Sequence, residues 1–249
     1  MNPTQYVVAL LTLSLTTTSF SQSIIQLPTR HRHPLTGNRR IRADDSLYCA
    51  SWRFSIETNN AGAWSSIPAR CQDYVTDYVT GDRYLSDSDV VAGDSLAFIK
   101  TVNVSTEGKD AWVFDIDETL LSEIFNSNTY NEWVDLAEAP ALPASLRFYK
   151  ELQELGVTIF LLTGRDEFQR NDTVKNLVYA GYSNWERLFL RGPSDEGKLA
   201  TVYKSEKRMQ IEDEGYTIQG SSGDQWSDLQ GFAVAKRSFK LPNPMYYIA

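Results

Sequence analysis

The chain has 249 residues, 42% of them hydrophobic and 12% aromatic, which is enough for one globular domain with a sizeable core and a short accessory segment. Its formal net charge is −8 but unevenly spread: residues 1–43 hold five arginines and no acidic residue, and the remainder has 19 basic and 32 acidic residues, a net charge of −13. The net charge of −13 on residues 44–249 disfavours nucleic acid as a partner. An anionic substrate would need a cation close to its binding site.

Residues 1–21 are predicted to be a secretory signal peptide. The apolar run 7–15 is too short to span a bilayer, and the small residues Ser19 and Ser21 flank a cleavage position near Gln22. No other stretch is long enough to cross a membrane. We therefore expect a protein of the secretory pathway, extracellular or vacuolar, with no membrane partner.

Residues 22–43 are predicted to be a basic, flexible leader. It contains His31 and His33, the only histidines in the chain. Two histidines without a third ligand make a weak metal site, and a solvated arm is the simpler interpretation. The folded body therefore lacks histidine, which excludes a histidine nucleophile there and disfavours Ser–His–Asp chemistry.

Residues 44–108 are predicted to be a helical accessory segment, with helices near residues 73–81 and 89–100. Cys49 and Cys71 lie 22 residues apart, and in a secreted protein two cysteines indicate one disulfide. Closing that loop would stabilise the fold by roughly 3 kcal/mol. The alternative is a pair of unpaired core thiols, which the secretory context disfavours.

From residue 111 the pattern alternates between apolar strands and longer helices. The predicted strands are residues 111–114, 157–162, 188–190, 217–219 and 232–235, and the predicted helices are residues 141–155, 166–180 and 197–214. Such alternation predicts an α/β fold, a mostly parallel sheet with helices on both faces. Residues 123–140 are either a small cap over a pocket or a plain surface loop with buried aromatics.

The stretch AWVFDIDETLLS, residues 111–122, runs from an apolar strand into Asp115 and Asp117. Residues two apart in extended backbone point the same way, and open α/β sheets bind ligands at the carboxyl ends of their strands. Two acids at such a place are costly unless a metal or a substrate uses them. An isolated Asp-x-Asp would more simply cap a strand or start a turn.

The longer string, with Thr119, Leu120 and Leu121 after the two acids, resembles the first motif of the haloacid dehalogenase-like (HAD) phosphatases. From Tyr48 to the end the chain is similar to plant acid phosphatases of subclass IIIB and to their relatives, the vegetative storage proteins. The resemblance implies a HAD-like Rossmannoid domain over residues 44–249.

A second motif, Thr163-Gly164-Arg165, follows the second predicted strand. A hydroxyl and the free amides at a helix amino terminus can hold an anion there, although Thr-Gly-Arg alone would more often be a strand–turn junction. Its place after the first motif matches the second motif of HAD phosphatases at Thr163. The resemblance thus implies that Thr163 and Gly164 bind phosphate.

Two further motifs complete the predicted site. Lys204, in a string similar to the plant subclass, is preferred over Lys198 as the cation that binds phosphate; the alternative is a solvated helix face. The string Gly223-Asp224-Gln225-Trp226-Ser227-Asp228 places two carboxylates four residues apart, which suits a hard cation, Mg²⁺ by default. Its simpler interpretation is an aspartate cap before a helix.

Carried onto these positions, the family mechanism implies that Asp115 attacks phosphorus and that Asp117 acts as general acid and base. The implied catalytic residues are Asp115, Asp117, Thr163 and Lys204. The implied Mg²⁺ ligands are carboxylate or carbonyl oxygens of Asp115, Asp117, Asp224 and Asp228.

The expected function is hydrolysis of small phosphate monoesters; the alternative is a storage protein in which turnover matters little. A homodimer is compatible with these features.

Two glycosylation sequons begin at Asn103 and Asn171. We predict a glycan at Asn103. Asn171 follows the second motif closely, and its proximity to the expected site argues against a glycan there.

Overall fold

A computed structural model describes residues 45–122 and 130–248, which lie within a compact unit spanning Ala43–Ala249. The predicted signal peptide and basic leader, residues 1–43, lie outside the described residues. Among the described residues, four helical segments precede the sheet: α1 (Asp45–Glu57), a 3₁₀ turn (Ala69–Cys71), α2 (Gln72–Val79) and α3 (Asp82–Ile99).

Five strands form one sheet in the order β3-β2-β1-β4-β5, and every neighbouring pair is parallel. The strands are β1 (Asp110–Phe114), β2 (Thr158–Asp166), β3 (Arg187–Arg191), β4 (Thr217–Gly223) and β5 (Arg237–Lys240). All carboxyl ends therefore meet at one edge, with β1 in the centre between β2 and β4. The predicted parallel α/β fold is confirmed.

The remaining helices connect these strands. They are α4 (Tyr130–Leu136), α5 (Pro143–Glu154), α6 (Arg170–Tyr179), α7 (Ala200–Asp213) and the single turn α8 (Trp226–Leu229), with 3₁₀ turns at Glu167–Gln169 and Pro193–Asp195. Of the predicted cap, residues 123–129 lie outside the described residues, and α4 covers residues 130–136. Among the described residues, no helix is both long and apolar enough to cross a bilayer.

Helices cover both faces because β1 alternates its side chains between two apolar clusters. Trp112 and Phe114 pack with residues of α3, α5 and α6, whereas Ala111 and Val113 pack with residues of α7. This double burial explains why β1 is a continuous apolar run. It also fixes the end of β1 in the middle of the sheet edge.

The Trp112 ring fills the space beside β4. It meets the Phe148 ring edge-on at 4.9 Å and stacks on Phe239 at 5.4 Å between centroids. At Gly220 an added Cβ would lie 2.3 Å from the Trp112 ring, so only glycine fits there. The β1–β4 register shifts between Ala111 and Trp112, next to this contact.

Three predicted strands differ from the structure. The strand predicted at residues 217–219 continues to Gly223 as β4. Residues 232–235 are not a strand: Phe232 and Val234 are nearly half exposed, and Ala233 has a left-handed backbone (φ +50°) that interrupts extended structure. The last strand is instead β5, an edge strand in which only Phe239 is buried, so its sequence lacks an apolar run.

The second predicted strand ends too early. β2 continues through Thr163-Gly164-Arg165 to Asp166, because Asp166 pairs with Arg191 of β3 across a local irregularity in register. The following helix therefore begins at the 3₁₀ turn Glu167–Gln169. The glycine that suggested a turn lies within the extended segment.

The predicted disulfide between Cys49 and Cys71 is confirmed, with the two Cα atoms 5.4 Å apart. It joins α1 to the 3₁₀ turn before α2. The Lys240 ammonium, 2.7 Å from the Glu57 carboxylate, links α1 to β5 as well. Asn103 is exposed in the loop between α3 and β1.

Candidate active site

Acidic side chains from three places meet at the carboxyl edge of the sheet. Asp115 and Asp117 follow β1, Asp224 follows the adjacent strand β4, and Asp228 lies in α8. Asp115, Asp117 and Asp224 border a cavity of about 380 Å³, and Asp228 lies behind them against Lys204. The cavity is lined by Asp115, Asp117, Gly164, Arg191, Ala200, Lys204, Asp224, Gln225, Ser227, Tyr246 and Ile248.

Asp115, Asp224 and Asp228 form a buried cluster that fits a divalent cation. One carboxylate oxygen from each residue lies within 4.8 Å of the others, and all three side chains are buried. Hard cations prefer such oxygen ligands, and buried carboxylates that are not neutralised are costly. The donor set therefore matches a divalent metal bound at the end of β1.

Lys204 reaches this cluster from α7. Its Nζ lies 2.7 Å from Asp115 Oδ1 and also forms an ion pair with Asp228, and the whole side chain is buried. Lys198 lies elsewhere: it pairs with Asp195 at 3.0 Å and Glu206 at 2.6 Å at the surface. The structure thus brings Lys204, and not Lys198, to the site.

The protonation equilibria at the cluster follow from burial. Burial, together with the Asp228 carboxylate, raises the pKa of Asp115 well above its ordinary value, and it raises the pKa of Asp224 to about 6. Burial alone would lower the pKa of Lys204, but the Asp115 and Asp228 carboxylates outweigh it, and the Lys204 pKa is raised. The protein part of the cluster is therefore short of positive charge.

Asp117 is held by an arginine that the sequence analysis did not identify as functional. Arg165 Nη2 donates to Asp117 Oδ1 at 2.6 Å, and Arg165 Nε lies 3.1 and 3.2 Å from the two carboxylate oxygens. Arg165 is itself 1% exposed, and its Nη1 donates to Thr173 Oγ1 at 3.0 Å. Such a fork fixes the carboxylate in one orientation.

The contact between Arg165 and Asp117 follows from the register of β1 and β2. In the parallel register Phe114 pairs with Leu161, so residues three and four further along the two strands lie near each other. Asp117 is three residues after Phe114 and Arg165 is four residues after Leu161, so the two side chains lie beside each other.

Thr163 and Gly164 are placed differently from each other. Thr163 is fully buried, and its Oγ1 accepts a hydrogen bond from the Arg165 backbone amide at 3.1 Å. Gly164 is exposed and lines the cavity. The expected cradle of free amides at a helix start is wrong here, because β2 continues through this segment.

Asp224 is oriented by three donors, one of which, Asn243, lies outside every predicted motif. Asn243 Nδ2 lies 2.6 Å and Gln225 Nε2 lies 2.7 Å from Asp224 Oδ2, while the Thr119 hydroxyl donates to Asp224 Oδ1 at 3.3 Å. No motif marks Asn243, which stands 19 residues after its partner. With one oxygen held by two amides, the carboxylate has a fixed direction.

Gly223 permits the approach of Asp228 to the cluster. An added Cβ at Gly223 would lie 2.3 Å from the Asp228 Cβ. The Gln225 backbone amide then donates to Asp228 Oδ2 at 2.9 Å, which closes the turn at the start of α8. The string 223–228 therefore forms a compact turn that brings both acids to the same cluster with Asp115.

A parallel Rossmannoid sheet with an acidic cation site at its carboxyl edge defines the class of this protein. Its residues 36–249 match the family described as HAD superfamily, subfamily IIIB (acid phosphatase). The chain belongs to this family of acid phosphatases, which are phosphoric monoester hydrolases acting on small phosphorylated substrates.

Individual relatives agree with this assignment. The chain is 44% identical to acid phosphatase 1 of Solanum lycopersicum over 96% of each chain, and 36% identical to vegetative storage protein 2 of Arabidopsis thaliana over 80% of each. The class C acid phosphatase from Bacillus anthracis, solved with tungstate bound, has a TM-score of 0.59 at 24% identity. The aligned region covers 71% of this chain and 85% of the bacterial chain. This similarity concerns the fold.

Proposed function

We propose that this protein hydrolyses phosphate monoesters through an aspartyl-phosphate on Asp115, with Mg²⁺ as the divalent ion. The observation that carries the proposal is the cluster itself: three buried acids from two adjacent strand ends within 4.8 Å, with the Lys204 ammonium on Asp115. Phosphoryl transfer is mostly a matter of positioning and of neutralising charge, and this cavity concentrates groups for both.

In the first step an oxygen of the Asp115 carboxylate attacks phosphorus, the bond from phosphorus to the alcohol oxygen breaks, and Asp117 gives its proton to the departing alcohol. In the second step Asp117 takes a proton from water, the water oxygen bonds to phosphorus, and the bond to Asp115 breaks. Inorganic phosphate leaves, and both carboxylates return to their starting state.

The ligands proposed for Mg²⁺ are the Asp115, Asp224 and Asp228 carboxylates and the Asp117 backbone carbonyl. A bound Mg²⁺ would neutralise negative charge on the phosphoryl group. Asn243 and Gln225 support the site by holding the Asp224 carboxylate. Lys204, Thr163 and Gly164 are proposed to bind the phosphoryl oxygens, Lys204 by its charge and Gly164 from the cavity wall.

A storage role is the second candidate, because curated relatives at 36–41% identity include vegetative storage proteins and a soybean stem glycoprotein. The disulfide and these plant relatives support a location in the secretory pathway, outside the cell or in the vacuole. Exposure of Asn103 supports glycosylation there. At the second sequon, Thr173 is fully buried against Arg165, which argues against a glycan on Asn171.

Turnover of p-nitrophenyl phosphate by the wild type and by Asp115→Asn, with Mg²⁺ and with a chelator, tests the proposal. Asp110→Asn is the matched control, since Asp110 is a buried acid of the same strand at its other end, bonded to Gln219 and the Ser105 amide. We expect activity in the wild type and the control, its loss in Asp115→Asn, and its dependence on Mg²⁺.

Substantial turnover by Asp115→Asn would reject the nucleophile. Absence of wild-type turnover across acidic and neutral pH, with the metal present, would favour the storage role.

A further inference from the structure

Arg191, the last residue of β3, lines the cavity without a carboxylate partner of its own. The other cations at this edge of the sheet are committed, because Lys204 is ion-paired with Asp115 and Arg165 with Asp117. Within the described part of the chain, the hydrogen bonds of Arg191 go to backbone carbonyl groups and none to a carboxylate. Its positive charge is therefore available to a ligand in the cavity.

The guanidinium group of Arg191 is held in one orientation. Its Nη1 donates to the carbonyl oxygens of Asp195 at 3.1 Å and Lys198 at 3.0 Å, both in the loop between β3 and α7. Its central carbon lies 4.5 Å from the centre of the buried Tyr203 ring. These contacts occupy Nη1 and one face of the planar group. The edge formed by Nε and Nη2 makes no hydrogen bond to a described residue, and such an edge matches two oxygens of a carboxylate or a phosphate.

The acid next to this group does not neutralise it. The Asp195 carboxylate lies 3.0 Å from the Lys198 ammonium and 3.4 Å from the Lys207 ammonium, and it also accepts the Gly192 backbone amide at 3.1 Å. Two lysines thus balance the charge of Asp195, and Arg191 uses only the backbone carbonyl of that residue. The loop holds Arg191 in place and leaves its charge uncompensated.

Arg191 bounds the cavity on a different side from the nucleophile. Strand β2 lies between β3 and β1, and neighbouring strands are about 4.8 Å apart, so the ends of β3 and β1 are about 10 Å apart. The carbonyl groups that hold the guanidinium belong to the loop on the β3 side. A group bound at Arg191 is therefore distinct from a phosphoryl group at Asp115.

We propose that Arg191 binds a second anionic group, a carboxylate or a phosphate, on the alcohol half of the substrate. The inference rests on the proposed function, because it takes the position of the reacting phosphate from Asp115 and Lys204. Without a cation on this side, a second negative charge would be repelled by the acids of the cavity and by the net charge of −13 on residues 44–249. Arg191 offsets this repulsion, so phosphate esters of anionic alcohols are favoured substrates.

Two matched pairs of esters test the proposal through kcat/KM in Mg²⁺ at low ionic strength. 4-Carboxyphenyl and 4-carbamoylphenyl phosphate have the same shape and differ in a carboxylate, and fructose 1,6-bisphosphate and fructose 6-phosphate differ in a second phosphate. In Arg191→Met the ratio of kcat/KM for the charged ester to that for its neutral partner should fall about tenfold. Arg191→Lys keeps the charge without the planar fork and should show a smaller fall.

Arg187→Met is the matched control. Arg187 lies at the other end of β3 and is paired with Glu214 at the surface, 2.7 Å away, so its replacement removes the same charge far from the cavity. Both ratios should stay at their wild-type values in this variant. Because each ratio is taken within one protein preparation, a lower fraction of folded protein changes both esters equally and cancels.

Unchanged ratios for both pairs in Arg191→Met, including an equal loss for charged and neutral esters, would overturn the inference. So would the same fall in Arg187→Met, since it would reflect overall charge. A fall for one pair supports the inference and identifies the second group as a carboxylate or a phosphate. Failure of the proposed function gives a different result: no ester is turned over by the wild type, which rejects both, whereas turnover with unchanged ratios rejects only the role of Arg191.

Discussion

Replacing Arg165 with methionine should separate the role of Asp117 from that of the nucleophile. The substitution removes the three N–H···O contacts to Asp117 and the one to Thr173, while it leaves the Asp115–Lys204 pair in place. General acid–base catalysis contributes roughly 10²–10⁴-fold, so a misplaced Asp117 should cost on the order of 100-fold in rate. Breaking this buried pair should also cost about 3 kcal/mol of stability. This value is at the low end for buried ion pairs because the Asp117 carboxylate partly faces the cavity.

The assay is kcat/KM for two esters with different leaving groups. An alkyl phosphate releases a strongly basic alkoxide that needs the proton of Asp117, whereas p-nitrophenolate leaves with little help. In Arg165→Met, kcat/KM should therefore fall by about 100-fold for the alkyl ester and by clearly less for p-nitrophenyl phosphate. Arg165→Lys keeps the charge without the planar fork and should be intermediate.

An equal fall for both esters, in protein that is shown to be folded at the assay temperature, would refute the positioning role. It would mean that Arg165 supports the whole site and not the proton transfer. Unchanged kinetics for both esters would refute any functional role of the Arg165–Asp117 pair.

Three further results are expected. Gly220→Ala should lower the melting temperature by several degrees, since the new Cβ would lie 2.3 Å from the Trp112 ring and overpacking costs about 1–3 kcal/mol or more. The Cys49→Ser/Cys71→Ser double variant should lose about 3 kcal/mol in denaturant unfolding. Burial and a neighbouring carboxylate raise the pKa of Asp224 from 3.8 to about 6, so the folded, metal-free protein binds that proton more tightly than the unfolded chain does. Metal-free wild type should therefore gain stability relative to Asp224→Asn as pH falls through 6 towards 4, as followed by thermal melts; a constant difference would contradict this.

The centre of the fold could be predicted because its physics is local. The β1 sequence is apolar on both faces, so it had to be a central strand, and the acids directly after it had to lie at the carboxyl edge. Asp224 follows β4, the neighbour of β1, so the same rule brings it close to Asp115. The sequence pattern left the strand order open, and the structure places β4 beside β1.

The missed features depend on contacts between distant segments. β5 carries a single buried side chain, Phe239, so an edge strand of this kind has no apolar run to reveal it. Asn243 and Tyr246 reach the site only because the chain returns over the sheet edge after β5, which no local pattern specifies. Arg165 was overlooked for another reason: its neighbour glycine indicated a turn, whereas a register irregularity lets β2 continue.

The cost of the acidic cluster separates the two candidate roles. Without a metal, burial raises the pKa of Asp115 and Asp224, which means that the ionised cluster opposes folding at neutral pH. The cluster also requires glycine at position 223, because any other side chain there would collide with Asp228. A reservoir protein gains nothing from such groups, since apolar residues of similar volume would stabilise the same space. A buried acidic cluster in which Asn243 and Gln225 orient Asp224 is instead what binding of a cation and reaction with a phosphate ester require. Accumulation in a tissue would then be a second use of an active phosphatase.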